Sequence, residues 1–191
     1  MGKTRWRNFR IVSELLGEPL RELLENSRFV LDLGCGDGKF VEQCTTLYPQ
    51  TTVLGIDGFP VRNVARSGYQ IECMFKGIAL PSNFVDLAIS TYAFLFYGFK
   101  EINEEKNMEL SELFRILKPG GTALILCKVF FTTMDGDHYY HFTLKAIEDN
   151  TEYTVYVSEI FLQRLGFNVE IISRRGLMLS LLKLTKLPNI P

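Results

Sequence analysis

The amino-acid sequence predicts an α/β domain with a doubly wound, mostly parallel β-sheet. Short apolar runs typical of buried strands alternate along the chain with stretches that place apolar residues at helical spacing. The first such run, from Phe29, leads directly into a glycine-rich turn and then into a helix, as at the start of a βαβ unit. The chain has 191 residues, enough for one domain and too few for two of ordinary size. We therefore expect residues 1–191 to form a single domain.

The N-terminal segment, residues 1–27, is predicted to be helical. Apolar residues lie near helical spacing from 5 to 25, and Gly17 and Pro19 break this stretch into two short helices. The first ten residues hold four cations and no acid: Lys3, Arg5, Arg7 and Arg10. These cations fit either a small anion-binding arm or, as the simpler interpretation, a solvated helix face.

The glycine-rich turn after the first strand predicts a cradle for a nucleotide-like ligand. Gly34, Gly36 and Gly38 let the backbone turn sharply and approach a ligand without Cβ clashes. The helix behind them, over 38–47, offers backbone amides that have no partner inside its own first turn. The alternative is an ordinary glycine-rich turn between a strand and a helix, with no ligand.

The second strand, Thr52 to Asp57, places a carboxylate near the same turn. Asp57 follows Gly38 by nineteen residues, close to the spacing at which an acidic residue meets a ribose in nucleotide-binding βαβ units. A carboxylate can accept hydrogen bonds from both hydroxyls of the ribose diol. Asp57 could instead cap a helix that begins near Pro60.

Two strands, a long helix and a fifth strand continue the alternation. The third strand is predicted over 70–74 and the fourth over 85–90. An amphipathic helix spans 101–117, the turn Lys118-Pro-Gly-Gly121 ends it, and the strand Thr122 to Cys127 follows.

The carboxyl ends of these strands predict where a ligand lies. In a doubly wound sheet, ligands bind beyond the carboxyl ends of the parallel strands, near the switch in strand order. Asp32, Asp57 and Ser90 all lie at the ends of predicted strands. We therefore expect these three residues to line one crevice.

The last third of the chain is predicted to end in a helix and a closing β-hairpin. It begins with an aromatic and acidic stretch over 130–142, which we expect to form a lid or insertion within 128–157. The elements expected after it are a hairpin of 143–147 and 153–157 around Asp149-Asn150, a helix over 158–165 between Ser158 and Gly166, and strands over 168–173 and 177–185.

The spacing of the glycines separates two kinds of nucleotide cradle. Dinucleotide-binding proteins show G-x-G-x-x-G, whose third glycine would fall where this chain has Lys39. The pattern Asp32-x-Gly34-x-Gly36-x-Gly38 instead resembles the first motif of the class I S-adenosylmethionine-dependent methyltransferases. The Leu-Pro before the fourth strand, the Asp86 that opens it, and the passage of helix, Leu-Lys-Pro-Gly-Gly and strand resemble the same family.

This resemblance implies a Rossmann-like sheet of seven strands with an antiparallel C-terminal hairpin, and S-adenosylmethionine as the cofactor. Many members carry an aspartate four residues before the leucine of the Leu-Pro, aimed at the adenine amino group, where this chain has Lys76. Adenine would then be held by backbone groups of Gly77 and Ile78. With Ser90 from the strand ends, the full set of expected cofactor residues is Asp32, Gly34, Cys35, Gly36, Gly38, Asp57, Gly58, Phe59, Gly77, Ile78 and Ser90.

The methyl acceptor is less determined than the cofactor. Methyl transfer from a sulfonium needs little acid–base machinery, because the enzyme mainly aligns the nucleophile behind the methyl carbon. After the fourth strand the chain reads Ser90-Thr-Tyr-Ala-Phe-Leu-Phe-Tyr97, not the N/D-P-P-Y/F of members that methylate exocyclic amines of bases. We expect a small-molecule acceptor. The aromatic residues at 92, 94, 96, 97 and 99 either wall its pocket, with Tyr92 offering a hydroxyl, or pack in the core.

Both histidines of the chain, His138 and His141, follow the fifth strand near the expected mouth of the crevice. With Tyr92 they are the candidate catalytic residues, because an imidazole titrates near neutrality and could take or steer a proton from the acceptor. Asp135 and Asp137 beside them leave open a metal site of the kind suggested by catechol methyltransferases, a polar lid, or a plain surface loop. We expect no metal, since no carboxylate set is spaced convincingly for octahedral coordination.

Composition limits the binding partners and the cellular location that we expect. The formal net charge of -1 gives no general attraction to nucleic acid or anionic lipid. No run approaches the roughly 18 consecutive apolar residues of a membrane span. The cysteines lack C-x-x-C spacing and are predicted to be reduced thiols, as in a cytoplasmic protein: Cys35, Cys44, Cys73 and Cys127.

The leading functional hypothesis is therefore a cytoplasmic methyltransferase that uses S-adenosylmethionine on a small molecule. The alternatives are a methyltransferase-fold partner or activator subunit, and methylation of protein or RNA. A dinucleotide-dependent oxidoreductase is less favoured. The complete set of Asp32, the three turn glycines and Asp57 argues against a subunit that has lost its cofactor.

Overall fold

The computed structural model describes residues 13–14, 16–36, 38–57, 69–72, 77–91, 103–134, 137–145, 152–173 and 180–188. Helices and strands alternate along these ranges as the sequence predicts. The helices are α1 (Glu18–Asn26), α2 (Lys39–Leu47), α3 (Asn103–Ile116) and α4 (Glu159–Leu165). The strands are β1 (Phe29–Leu33), β2 (Thr52–Asp57), β3 (Tyr69–Glu72), β4 (Val85–Thr91), β5 (Leu117–Met134), β6 (Asp137–Lys145), β7 (Glu152–Ser158), β8 (Phe167–Ser173) and β9 (Ser180–Lys186).

The main sheet is doubly wound and mostly parallel. Strands β3, β2, β1, β4 and β5 lie side by side and parallel in that order. Strand β9 pairs antiparallel with β5 on one side and with β8 on the other. The α/β class and the antiparallel C-terminal hairpin predicted from the sequence are thus confirmed. The direction of winding changes between β1 and β4, so a ligand crevice is expected beyond the carboxyl ends of these strands.

Strand β5 is much longer than the predicted Thr122 to Cys127. Its pairing with β4 ends at Thr91 and Leu126, but the strand continues and pairs antiparallel with β6 from Lys128 to Met134. Strand β6 in turn pairs antiparallel with β7. Over the described residues, this stretch is therefore a β-ribbon, which agrees with its many aromatic and β-branched residues. The hairpin expected between 143–147 and 153–157 is confirmed where it is described, since Thr143 pairs with Thr154 and Leu144 with Tyr153.

The sheet has a hydrophobic core on each face, because successive residues of a strand point to opposite sides. One core holds Leu31 and Leu33 of β1, together with residues of α3 and α4 such as Leu113 and Leu162. The other holds Val30 of β1 with residues of α1 and α2 such as Leu24. Among the described residues, no helix is both long and apolar enough to cross a bilayer.

Helix α4 begins and ends where the sequence predicts. The Ser158 hydroxyl accepts a hydrogen bond from the Phe161 amide (3.2 Å), which satisfies one unpaired donor of the first turn. Gly166 ends the helix in the left-handed region, with φ 95°. Helix α1 follows Gly17, so the predicted break at that glycine is also observed.

Two polar clusters hold the amino edge of the sheet, opposite the expected crevice. The Asp86 carboxylate accepts hydrogen bonds from the amides of Arg28 (3.0 Å) and Phe29 (2.8 Å), and forms an ion pair with Lys118 (2.6 Å). The buried Lys186 ammonium donates to the Phe114 and Leu117 carbonyls at the C-terminal end of α3 and to the Asn83 side chain. Asp86 therefore has a structural role at the start of β1.

Candidate cofactor site

The glycine turn between β1 and α2 has the backbone conformation that its sequence predicts. Gly34, Gly36 and Gly38 all lie in the left-handed region, with φ 83°, 50° and 71°. A side chain at any of these positions would be strained, so the three glycines are required by the turn itself. The amides of Gly34 (2.7 Å) and Cys35 (3.0 Å) both donate to the Ile56 carbonyl, which fixes the turn against the end of β2.

Asp57 lies directly beside this turn, as expected. The Gly36 amide donates a hydrogen bond to Asp57 Oδ2 at 2.7 Å, across a separation of 21 residues in sequence. The Asp57 side chain is partly exposed, and a carboxylate has about four acceptor positions. Asp57 therefore places a partly exposed carboxylate beside the turn, where a ribose diol could contact it. The alternative role of Asp57, capping a helix near Pro60, falls outside the described residues.

Gly55 is a residue of the site that the sequence reasoning missed. It lies on β2 beneath the turn, where a Cβ would approach Cys35 Cβ and Sγ to 2.9 Å and Val41 Cγ2 to 3.1 Å. Real Cβ atoms essentially never approach so closely, so only glycine lets the turn settle on β2. A glycine inside an otherwise apolar strand is a signal of close backbone approach and could have identified this position.

Three other expected cofactor residues do not present their side chains to the crevice. Asp32, Cys35 and Ser90 are at most 3% exposed. The Ser90 hydroxyl donates to the Leu33 carbonyl (3.0 Å) and ties the ends of β1 and β4 together. The side chains of Asp32 and Ser90 are covered by neighbouring elements, and the expectation that these two residues line the cofactor crevice stays a prediction. Their backbones still set the position of the turn.

The Cys44 thiol on α2 lies in the same core as Cys35, and neither cysteine forms a disulfide. Burial raises the pKa of Cys44, and the negative charge of Asp32 raises it further. The thiol therefore stays protonated at neutral pH, which makes it unreactive as a nucleophile.

The segment before β4 was expected to hold adenine through Gly77 and Ile78. Gly77 is exposed, and a Cβ there would meet nothing within 4 Å. The Ile78 amide donates to Glu112 Oε2 (3.0 Å), and the Ile78 carbonyl accepts from Arg115 Nη2 (2.8 Å). Helix α3 therefore engages both backbone groups of Ile78, and the expected contact of adenine with the Gly77 and Ile78 backbone stays a prediction. The Ile78 side chain is also buried, in the core beside α3.

Several expected site residues cannot be placed. Gly58, Phe59 and Tyr92 lie outside the described residues, as does Asp135.

His138 and His141 lie on β6, where their backbones pair with Thr133 and Phe130 of β5. Among the described residues, no group of three or more His, Cys, Asp or Glu side chains is arranged to hold a metal ion.

The arrangement fits the cofactor that the glycine motif implies. The turn brings the backbone of its three glycines to the carboxyl edge of the sheet, and Asp57 adds a carboxylate that accepts the Gly36 amide. A nucleoside could place its ribose on Asp57 and the rest of the molecule along the turn. The described turn and Asp57 form no pyrophosphate cradle of the G-x-G-x-x-G type.

Comparison with known proteins agrees with this geometry. Residues 31–125 match a family model described as a methyltransferase domain, and this range includes the glycine turn, Asp57 and Gly77. No curated protein sequence matches the chain.

Solved structures with the same fold include several methyltransferases. An amino pentose methyltransferase from Micromonospora echinaspora, with S-adenosylmethionine bound, has a TM-score of 0.62 at 14% identity, covering 97% of this chain and 92% of that one. The 1,6-didemethyltoxoflavin-N1-methyltransferase from Burkholderia thailandensis has a TM-score of 0.60 at 16% identity, covering 97% and 82%. A chain from the complex of a Haloferax volcanii methyltransferase activator with a putative methyltransferase has a TM-score of 0.60 at 15% identity, covering 93% of each.

Proposed function

Since this chain carries a class I S-adenosylmethionine-dependent methyltransferase domain, we propose that it transfers the methyl group to a small-molecule acceptor. Bound S-adenosylmethionine supplies an activated methyl group on a sulfonium. The chain's own residues then have to bind the cofactor, exclude water and align the acceptor behind the methyl carbon. For the cofactor, we assign the ribose to Asp57, the methionyl part to the turn of Gly34, Gly36 and Gly38, and the adenine border to Gly58, Phe59 and Gly77.

The observation that carries the small-molecule proposal is the ribbon of β5, β6 and β7. It rises from the same edge of the sheet that carries the glycine turn, because β5 runs parallel to β1 and continues beyond Leu126 where β4 has ended. A seven-residue extension of a strand is about 23 Å long. In this proposal the ribbon forms one wall of the acceptor site, and a wall built from the chain itself suits a compact acceptor better than a folded macromolecule.

The structural relatives and the net charge also support a small-molecule acceptor. One structural relative methylates an amino pentose and another a toxoflavin precursor, so this fold accommodates small polar acceptors. The net charge of -1 offers no general attraction to RNA. Cys35 and Cys44 form no disulfide, which suits the reducing cytoplasm, where we propose that the protein works.

The function is tested by following S-adenosylhomocysteine release from S-adenosylmethionine. The acceptor panel should contain amino sugars, heteroaromatic amines and hydroxylated aromatics, with total RNA and mixed protein as macromolecular acceptors. We expect turnover with at least one small-molecule class and only background release with the macromolecules. Methyl incorporation confined to RNA or protein would contradict the proposal.

For proton handling we propose one histidine of β6 as the group that takes or steers a proton from the acceptor, with Tyr92 as a second candidate. Positions 138 and 141 are three residues apart on an extended strand, so they belong to opposite faces of the ribbon. Replacement of the histidine on the acceptor side by alanine should lower turnover by about a hundredfold, typical for loss of general acid–base catalysis. The other histidine is the matched control. Full turnover in the double variant His138→Ala/His141→Ala would contradict this role.

A further inference from the structure

Arg115 and Glu112, one turn apart on α3, form a bidentate ion pair. Arg115 Nε lies 2.8 Å from Glu112 Oε1, and Arg115 Nη2 lies 2.8 Å from Glu112 Oε2. The hydrogen bond from Arg115 lowers the pKa of Glu112, and the hydrogen bond to Glu112 raises the pKa of Arg115. Both side chains are therefore charged at neutral pH and held in one geometry.

The same pair also binds the backbone of the segment before β4. Arg115 Nη2 donates to the Ile78 carbonyl and Nη1 to the Leu80 carbonyl, each at 2.8 Å, and Nη1 also reaches Ser82 Oγ at 3.4 Å. Glu112 Oε2 accepts the Ile78 amide. A guanidinium has five N–H donors, and each of them has an acceptor here.

Helix α3 also holds the end of this segment through its own backbone. The amides of Asn83 (2.9 Å) and Phe84 (2.8 Å) donate to the Arg115 and Ile116 carbonyls. Residues 77–84 form neither helix nor strand, so they have no regular ladder of hydrogen bonds to fix them. Their position is therefore determined largely by α3.

Gly77 directly precedes Ile78, which Glu112 and Arg115 hold by its backbone. Ile78 has its amide on Glu112, its carbonyl on Arg115 and its side chain buried at 3% exposure. Because Ile78 is fixed in all three ways, the peptide that joins it to Gly77 has little freedom. A base binds more tightly to a backbone group that is already in position, because no free energy is spent on ordering that group.

We infer that Arg115 and Glu112 are positioning residues for the adenine of the cofactor: without touching it, they hold the Gly77–Ile78 backbone in place for recognition of the base. This inference rests on the proposed placement of adenine beside Gly77. The ion pair then affects which base the site prefers, whereas Asp57 binds the ribose.

The test compares the affinities of S-adenosylhomocysteine and S-inosylhomocysteine, measured by calorimetry. The second ligand differs only in the base, whose 6-amino group is replaced by an oxygen. The wild-type protein should prefer the adenine ligand, and Arg115→Gln should reduce that preference roughly tenfold, about the effect of one hydrogen bond. Asp57→Ala should weaken both ligands equally and leave the preference unchanged, which separates base positioning from general loss of binding.

The matched control is Arg21→Gln. Arg21 and Glu25, four residues apart on α1, also form an Arg–Glu ion pair, through the single contact of Nε with Oε1 at 2.8 Å, and both side chains are exposed. This variant should keep both the affinity and the preference of the wild type. If Arg115→Gln does not fold, Glu112→Ala replaces it, because this variant keeps the arginine while removing the acceptor of the Ile78 amide.

A readout without ligand completes the test. In ligand-free Glu112→Ala the Ile78 amide should exchange its hydrogen faster than in the wild type, while amides in the middle of β4 keep their rates. Unchanged base preference in a folded Arg115→Gln or Glu112→Ala variant would overturn the inference, as would a wild-type protein that binds S-adenosylhomocysteine without preferring adenine. Failure of the wild type to methylate any small molecule would instead refute the proposed function and leave these binding results interpretable.

Discussion

Asp57 provides the sharpest test of the cofactor site, because it joins two elements that are far apart in sequence. Its Oδ2 accepts the Gly36 amide at 2.7 Å, and it lies where we place the ribose. Asp57→Ala should weaken the binding of S-adenosylhomocysteine in two ways. It removes the acceptor for the ribose hydroxyls, and it releases the Gly36 amide from the position that the turn requires.

The expected loss of affinity in Asp57→Ala follows from the hydrogen bonds that the carboxylate would make to the ribose. Hydrogen bonds to a charged group contribute roughly 1.5–3 kcal/mol, which corresponds to a 10- to 150-fold loss of affinity. Asp57 is partly exposed, so the lower half of this range is expected. Asp57→Asn keeps one acceptor oxygen without the charge and should lose about half as much free energy. Calorimetry with S-adenosylhomocysteine measures both variants.

Asp86 supplies the matched control at the opposite edge of the sheet. It also accepts backbone amides, those of Arg28 and Phe29, but lies far from the turn. Asp86→Ala should lower the free energy of unfolding by about 2 kcal/mol in urea while affinity stays unchanged. Unchanged affinity in Asp57→Ala would refute the ribose assignment. Equal loss of affinity in Asp86→Ala would show that general loosening, and not the contact itself, weakens binding.

Three further predictions concern the groups that support this site. Gly55→Ala places a Cβ 2.9 Å from Cys35, so calorimetry should show S-adenosylhomocysteine affinity at least about tenfold lower, with an overpacking cost of roughly 1–3 kcal/mol; unchanged affinity would contradict it. Lys186→Met leaves buried carbonyls at the end of α3 without a donor and should lower the free energy of unfolding by about 3 kcal/mol in urea titrations; a loss below about 1 kcal/mol would count against it. The pKa of Glu112 is lowered from 4.5, chiefly by the hydrogen bond from Arg115, so the stabilisation it provides is complete above pH 4.5 and is lost as the pH falls through its lower folded value. The difference in unfolding free energy between wild type and Glu112→Gln should therefore shrink in acid, and a constant difference would be the contrary result.

The order of elements could be predicted from sequence because each signal is local. The second strand was predicted from Thr52 to Asp57 and is found with those bounds. Helix α4 begins after Ser158 and ends at Gly166, because a capping hydroxyl and a left-handed glycine determine the ends of a helix from within a few residues. The third strand was less well placed: it was predicted over 70–74, whereas the described strand is Tyr69–Glu72.

The largest error in the fold concerned β5. The sequence predicts a six-residue strand, Thr122 to Cys127, whereas the strand runs from Leu117 to Met134 and leaves the main sheet to pair with β6. The role of 128–157 as a lid or insertion stays a prediction. Local patterns do not show whether a stretch of aromatic and polar residues finds a pairing partner. That depends on β6 and β7 being available beside it, which is a property of the folded chain.

The glycine turn and the acid that faces it can be recognised from local sequence patterns. The turn requires left-handed backbone at Gly34, Gly36 and Gly38, and glycine is the residue that adopts it without strain, so the motif can be read directly. Asp57 could be chosen because the carboxyl ends of parallel strands meet at one edge of a sheet.

Packing between distant segments determines which side chains are exposed at this edge of the sheet. Ser90 and Asp32 also end strands, yet both are buried, because exposure depends on which helices cover that face of the sheet. The Ile78 amide is used by Glu112, 34 residues away in sequence, and nothing near Ile78 predicts this contact. Backbone conformation is a local property of the sequence, whereas burial and hydrogen-bond partnership arise from packing between distant segments.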